Sequence, residues 1–112
     1  MSSELTAKTC TPCRGGIPPL PAAEAERLLA QTPGWRLLDD ARRIERTFKP
    51  GNFAETLAFV NRVGALAQAE GHHPVITFGW GFATISVQTN KIKGLHENDF
   101  ILAAKINTLG VT

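Results

Sequence analysis

Residues 52–71 constrain the fold more than any other stretch of the chain. Asn52 is a good helix N-cap, and Glu55 stands three residues on, the spacing of a capping box. Phe53, Leu57, Val60, Val63 and Ala67 then recur at spacings of four, three, three and four. That is an apolar stripe on a helix running to about residue 69. Phe59 and Leu66 widen the stripe, which predicts burial on two sides or a contact between subunits. Gly71 stops the helix.

The flanking segments supply a surface for that helix. Trp35–Leu38 and Arg43–Phe48 read as two strands around an Asp39-Asp40-Ala41 turn. In the second, Ile44 and Phe48 point one way and Arg43, Glu45 and Thr47 the other. Pro50-Gly51 breaks the pattern. After Pro74, residues 75–78 read as a strand, Gly79-Trp80-Gly81 as a tight turn, and residues 82–89 as the clearest strand of the chain. There Ala83, Ile85 and Val87 alternate with Thr84, Ser86 and Gln88. Residues 22–31, AAEAERLLAQ, form a short helix with Ala25, Leu28 and Leu29 on one face, ended by Pro33-Gly34. Residues 98–109 form a last helix with Leu102, Ile106 and Leu109 on one stripe. The order α-β-β-α-β-β-α predicts an α+β fold: a four-stranded antiparallel sheet with three helices packed on one face. The other sheet face, of mixed character, is left for a ligand or a partner subunit.

The chain of 112 residues suits one domain. Residues 1–20 carry no helical or strand period and read as an irregular N-terminal arm; residues 21–112 form the domain. The net charge is only +2, and the basic residues are spread out apart from Arg42-Arg43 and Lys91-x-Lys93, which argues against nucleic-acid binding. No apolar run is long enough to cross a bilayer, and the polar start Met1–Lys8 is no signal peptide, so the expected location is the cytoplasm. Cys10 and Cys13 are spaced C-x-x-C. They lack the second pair that a zinc site needs, and the strand-to-helix setting that a redox motif needs. They read as reduced thiols in the arm.

The chemical signal is His72-His73-Pro74. Histidine gains and loses a proton near neutral pH, so the pair can offer a donor and an acceptor. Pro74 holds His73 extended, and adjacent extended residues point in opposite directions. By itself the dipeptide reads more readily as a helix end than as a site. A metal site is not expected, since His96 is the only other histidine and no ligand stands at the right spacing. Trp80 reads as a rim or interface aromatic, or as a wall for a flat heterocycle. Asp99 and Glu97 suit the start of the last helix. Lys91 and Lys93 read as solvated.

Taken together, the residues are more specific than any one of them. Gln68-Ala-Glu-Gly-His72-His73-Pro74, then Trp80, Thr89 and Gly94-Leu-His-Glu-Asn-Asp99-Phe100 resemble the pterin-4a-carbinolamine dehydratases. Gly15-Gly16-x-Pro18-Pro19-Leu20 after the C-x-x-C, Pro33-Gly34-Trp35 and Ala58-Phe-Val-Asn-Arg-Val63 also fit, so the likeness spans residues 10–109. The resemblance implies a cofactor-independent dehydratase that removes water from a 4a-hydroxytetrahydropterin, recycling the tetrahydropterin of aromatic amino-acid hydroxylases. It implies His72 and His73 as acid and base. It implies a pterin-binding set of His72, His73, Pro74, Trp80, Thr89, Asn90 and Asp99, and a homodimer or homotetramer. Two positions depart from the family pattern. Gln68 stands where an acidic residue is usual, and Asn90 where a third histidine, or sometimes Trp, is usual. Asn cannot trade protons near neutral pH. These departures leave a second reading: a pterin-binding or regulatory oligomer, weakly active or without turnover.

Overall fold

In the computed structural model, which describes residues 3–11 and 15–111, the alternating residues of the sequence form one antiparallel sheet. Its strands are β1 (Arg36–Leu38), β2 (Arg43–Phe48), β3 (Val75–Gly79) and β4 (Phe82–Val87), in the order β1-β2-β4-β3. The two hairpins join along β2 and β4, where Ile44 faces Val87 and Phe48 faces Ala83. Because side chains alternate, Ile44, Phe48, Ala83, Ile85 and Val87 all fall on one face and are fully buried. The opposite face is mixed, with Leu38, Val75 and Phe82 beside Arg43, Glu45, Thr47, Thr84 and Ser86. There Thr47 and Thr84 hydroxyls meet at 2.8 Å, and Arg43 Nη1 donates to Ser86 Oγ at 2.8 Å.

The helices are α1 (Ser3–Thr6), α2 (Ala22–Leu29), α3 (Phe53–Glu70) and α4 (Glu97–Asn107), with a single 3-10 turn at Asn90–Ile92. Helix α3 starts with the expected capping box: Glu55 N donates to Asn52 Oδ1 at 2.9 Å, and Asn52 N to Glu55 Oε1 at 3.3 Å. It ends at Gly71, whose φ of 66° lies in the left-handed region that glycine enters without a Cβ penalty.

The core stripe of α3 differs from the expected one. Thr56, Phe59, Val63 and Ala67 face the core, while Phe53 and Leu57 are exposed. A threonine is tolerated there because its hydroxyl donates to Asn52 O at 2.8 Å. Phe59 packs on Phe48 with ring centroids 4.9 Å apart, and its loss to alanine carries a cost of about 3–5 kcal/mol.

The N-terminal segment is more ordered than its composition predicts. Leu5 on α1 is fully buried and joins the same core cluster as α4. Cys13 lies outside the described residues. Helix α4 is buried along nearly its whole length, from Asn98 to Ala104, because α1, α2 and α3 all pack against it. No described helix is long and apolar enough to cross a membrane.

Candidate active site

The left-handed turn at Gly71 swings the chain off α3, and His72 N donates back to Ala67 O at 3.1 Å. This places the His72 ring, mostly buried, over the start of α4. There Nε2 lies 2.6 Å from Asp99 Oδ1. Asp99 is wholly buried, and its other oxygen, Oδ2, accepts from Thr89 Oγ1 at 2.8 Å and from His96 N at 2.9 Å. A buried carboxylate is stable only when its lone pairs are filled in this way. Thr89 is itself positioned by a pair of backbone bonds with Gly94, which closes the loop around the 3-10 turn.

Asp99 takes the helix-start role expected of it and a second one that its sequence position did not suggest. Oδ2 closes the capping box of α4, and Oδ1 holds His72. His96 is the N-cap: its Nδ1 accepts from Asn98 N at 3.0 Å. It is committed to starting the helix and is absent from the cavity lining.

His73 points the other way and is exposed. Its Nε2 lies 3.0 Å from Gln68 Oε1, one turn back on α3. Glutamine thus occupies the imidazole's neighbouring position through a neutral amide. Asn90, also exposed, accepts at Oδ1 from Gln88 Nε2 at 3.1 Å.

A cavity of about 390 Å³ opens between these groups. His72, His73, Thr89 and Asn90 line it, together with Gly71, Gln88, Lys91 and Thr11, whereas Pro74 and the wholly buried Asp99 are not among the lining residues. A second hollow of about 210 Å³ on the outer sheet face shares His73, Gln88 and Asn90 with it and adds Arg43, Val75 and Ser86. Pro74, half-buried, leads from the histidines into β3.

Trp80 is not brought to this cavity. It sits at the β3–β4 hairpin tip, 74% exposed, a strand length or roughly 17 Å from the histidine end of β3. Gln88 and Thr11 are lining residues that sequence reasoning missed. Gln88 had a signal, since it continues the polar alternation of Thr84 and Ser86 to the strand's end. Thr11 had none.

Under the cavity wall, Glu70 Oε2 pairs with Lys105 Nζ at 2.7 Å, and Glu70 Oε1 accepts from Cys10 N at 2.9 Å. The Cys10 amide and the ammonium hold the Glu70 carboxyl below its ordinary range. Burial, reinforced by the Glu70 charge, pushes the Cys10 thiol up to about 12. Cys10 is a free thiol, half-buried, and is protonated at neutral pH.

The profile of the family described as Pterin 4 alpha carbinolamine dehydratase matches residues 18–109. A protein of Cupriavidus pinatubonensis named "Putative pterin-4-alpha-carbinolamine dehydratase 1" is 63% identical over 97% of this chain and 94% of its own length. One of Aromatoleum aromaticum, named "Putative pterin-4-alpha-carbinolamine dehydratase", is 57% identical over the whole of both chains. Among solved structures, a transcriptional coactivator/pterin dehydratase from Brucella melitensis superposes with a TM-score of 0.75 at 26% identity, covering 80% of this chain and 96% of that one. A pterin dehydratase-like protein identified as a RuBisCO assembly factor in the alpha-carboxysome superposes with a TM-score of 0.59 at 27% identity, covering 68% and 88%.

Proposed function

The chain belongs to the pterin-4-alpha-carbinolamine dehydratase family, and from that premise we propose that it dehydrates 4a-hydroxytetrahydrobiopterin to the quinonoid dihydropterin. The observation that carries the reading is the two imidazoles at one cavity, each with Nε2 engaged by a different acceptor, Asp99 for His72 and Gln68 for His73.

The reaction breaks the C4a–O bond and removes the proton on N5. One imidazole, protonated, gives its proton to the departing hydroxyl, which leaves as water. The other takes the N5 proton, and the electron pair of the N–H bond completes the new C=N double bond. Because Nε2 of each ring is held, the proton that moves is the one on Nδ1. Asp99 keeps the His72 ring in one orientation, as a carboxylate that accepts from an imidazole commonly does. Asn90 and Thr89 line the cavity, and an amide with donor and acceptor groups such as that of Asn90 suits the polar edge of a pterin. Each acid or base of this kind supplies about 10²–10⁴-fold in rate.

The same reading includes a homodimer or homotetramer. It is supported by β3, an edge strand whose backbone is unpaired on one side, and by the exposed Phe53, Leu57, Val75, Phe78 and Trp80 around it. Trp80 then serves an interface rather than the pterin.

A second reading, a pterin-binding module without turnover, is favoured by one observation. Asn90 stands at the cavity where the family pattern usually has a third histidine, or sometimes Trp, and its Oδ1 is taken up by Gln88. One experiment separates the two readings. The 4a-carbinolamine is generated in situ, and its dehydration is followed with wild type and His73→Ala. Acceleration by wild type and not by the variant supports the enzyme. Two folded proteins that bind pterin, neither of which accelerates the reaction, support the module.

A further inference from the structure

One wall of the cavity comes from the far end of the sequence. Thr11 lines it beside His72, His73 and Lys91, although every other lining residue lies between 71 and 91. The contact is held by a built clamp. Asn98, only 2% exposed, makes two hydrogen bonds with the backbone of Thr11. Thr11 N donates to Asn98 Oδ1 at 3.0 Å, and Asn98 Nδ2 donates to Thr11 O at 2.6 Å. The side-chain amide thus acts as one rung of a strand pairing. The residue before is held too: Cys10 N donates to Glu70 Oε1 at 2.9 Å, and Cys10 Sγ to Asn98 O at 3.5 Å. Further along, Leu20 N donates to Leu95 O at 2.9 Å, and a Cβ on Gly94 would meet Pro19 at 2.5 Å. Cys10 and Thr11 on one side, and Pro19 and Leu20 on the other, are thus each held against the stretch Gly94–Asn98 that leads into α4.

We infer that the N-terminal segment is a working wall of the pterin site, with Thr11 as a substrate-contacting residue and Asn98 as the positioning residue that holds it there. Asn98 and Asp99 are neighbours in the first turn of α4. One holds the wall and the other holds His72, so a single helical turn sets the distance between them. A side chain this deeply buried that gives both its amide groups to another segment's backbone leaves two polar groups of that segment unpaired when it is removed. The segment then loses its register at the rim. Holding a wall in place acts on binding more than on the proton transfers.

This inference rests on the proposed pterin reading for its ligand, but not for its geometry, and the test keeps the two apart. Two variants are made in the full chain, Thr11→Trp and Asn98→Ala, with thermal melting as the folding control. Each is titrated with 7,8-dihydrobiopterin, which lacks the 4a-hydroxyl and cannot turn over. Thr11→Trp, whose backbone bonds are untouched, should weaken binding by about tenfold, equivalent to about 1.4 kcal/mol. Asn98→Ala should raise KM for the carbinolamine while leaving kcat within about twofold, the split expected of uniform binding. Independently of any pterin, carbethoxylation of His72 is followed by peptide mapping. It should slow in Thr11→Trp, where the indole covers the ring, and quicken in Asn98→Ala, where the wall comes away. Those opposite signs are not the mark of a general loss of structure. If wild type binds no pterin, the functional reading falls and the carbethoxylation rates still decide the wall. If both variants modify His72 at the wild-type rate, the inference is overturned.

Discussion

The Asp99 carboxylate lies 2.6 Å from His72 Nε2, although 27 residues separate them in sequence. Asp99 is itself wholly removed from solvent. His72 therefore belongs to the folded interior as well as to the cavity, whereas His73, exposed and bonded among the described residues to Gln68, belongs to the cavity only.

The two histidines are accordingly expected to separate on mutation. His73→Ala should leave stability within about 0.5 kcal/mol, as for surface substitutions, and lower dehydration by about 10²–10⁴-fold. His72→Ala should show a comparable loss of activity and also cost about 1–3 kcal/mol, because Asp99 Oδ1 is left buried without its donor. Urea unfolding beside the rate assay checks both. Equal stabilities would mean that the His72–Asp99 contact is energetically idle.

Asn90 lines the cavity and is exposed. Asn90→His should be accepted without loss of melting temperature. Where the missing proton-exchanging group limits the rate, it should raise kcat toward the about 10²–10⁴-fold that such a group supplies. An unchanged kcat in a folded Asn90→His protein would show that two histidines suffice.

The buried thiol sets an alkaline limit. With the Cys10 value raised to about 12, the folded state keeps the proton that the unfolded chain releases near pH about 8.5. Its contribution is whole below that pH and is lost as pH rises toward the folded value, since the unfolded state then binds fewer protons. Stability should fall from pH 8.5 upward more steeply in wild type than in Cys10→Ala. Iodoacetamide should label Cys10 far more slowly at pH 8 in the folded protein than in urea.

Glu70 sets an acid limit of the opposite sign. Its carboxyl is held low by the Cys10 amide and Lys105. Its stabilisation is present above the ordinary carboxyl range, near about 4.3, and disappears as pH falls through the lower folded value. Glu70→Gln should cost about 1.5–3 kcal/mol at pH 7, the worth of charged hydrogen bonds, and much less at pH 3. Denaturation curves at the two pH values measure the difference.

Much of the frame was legible along the chain. The alternation of Ala83, Ile85 and Val87 with Thr84 and Ser86 marks a half-buried strand, because a strand's side chains can only alternate. Asn52, Glu55 and Gly71 bound α3, because caps are local chemistry between residues three or four apart. The core face of α3 was less legible. Phe53 and Leu57 are as apolar as Phe59 and Val63, and only the direction of the sheet decides which of them is buried. The buried Leu5 was hidden for the same reason, since a single leucine carries no period.

By itself the sequence determined the four strands and the three longer helices, their order and the position of the two histidines beyond a helix-ending glycine, because these follow from neighbours within a turn or a strand pair. Only the tertiary structure decided that Asp99 reaches His72 while it caps α4, that His96 is spent on the cap, that Trp80 is far from the cavity, and that Thr11 stands beside it. Each of those facts is a distance between segments brought together by packing, and no local preference encodes such a distance.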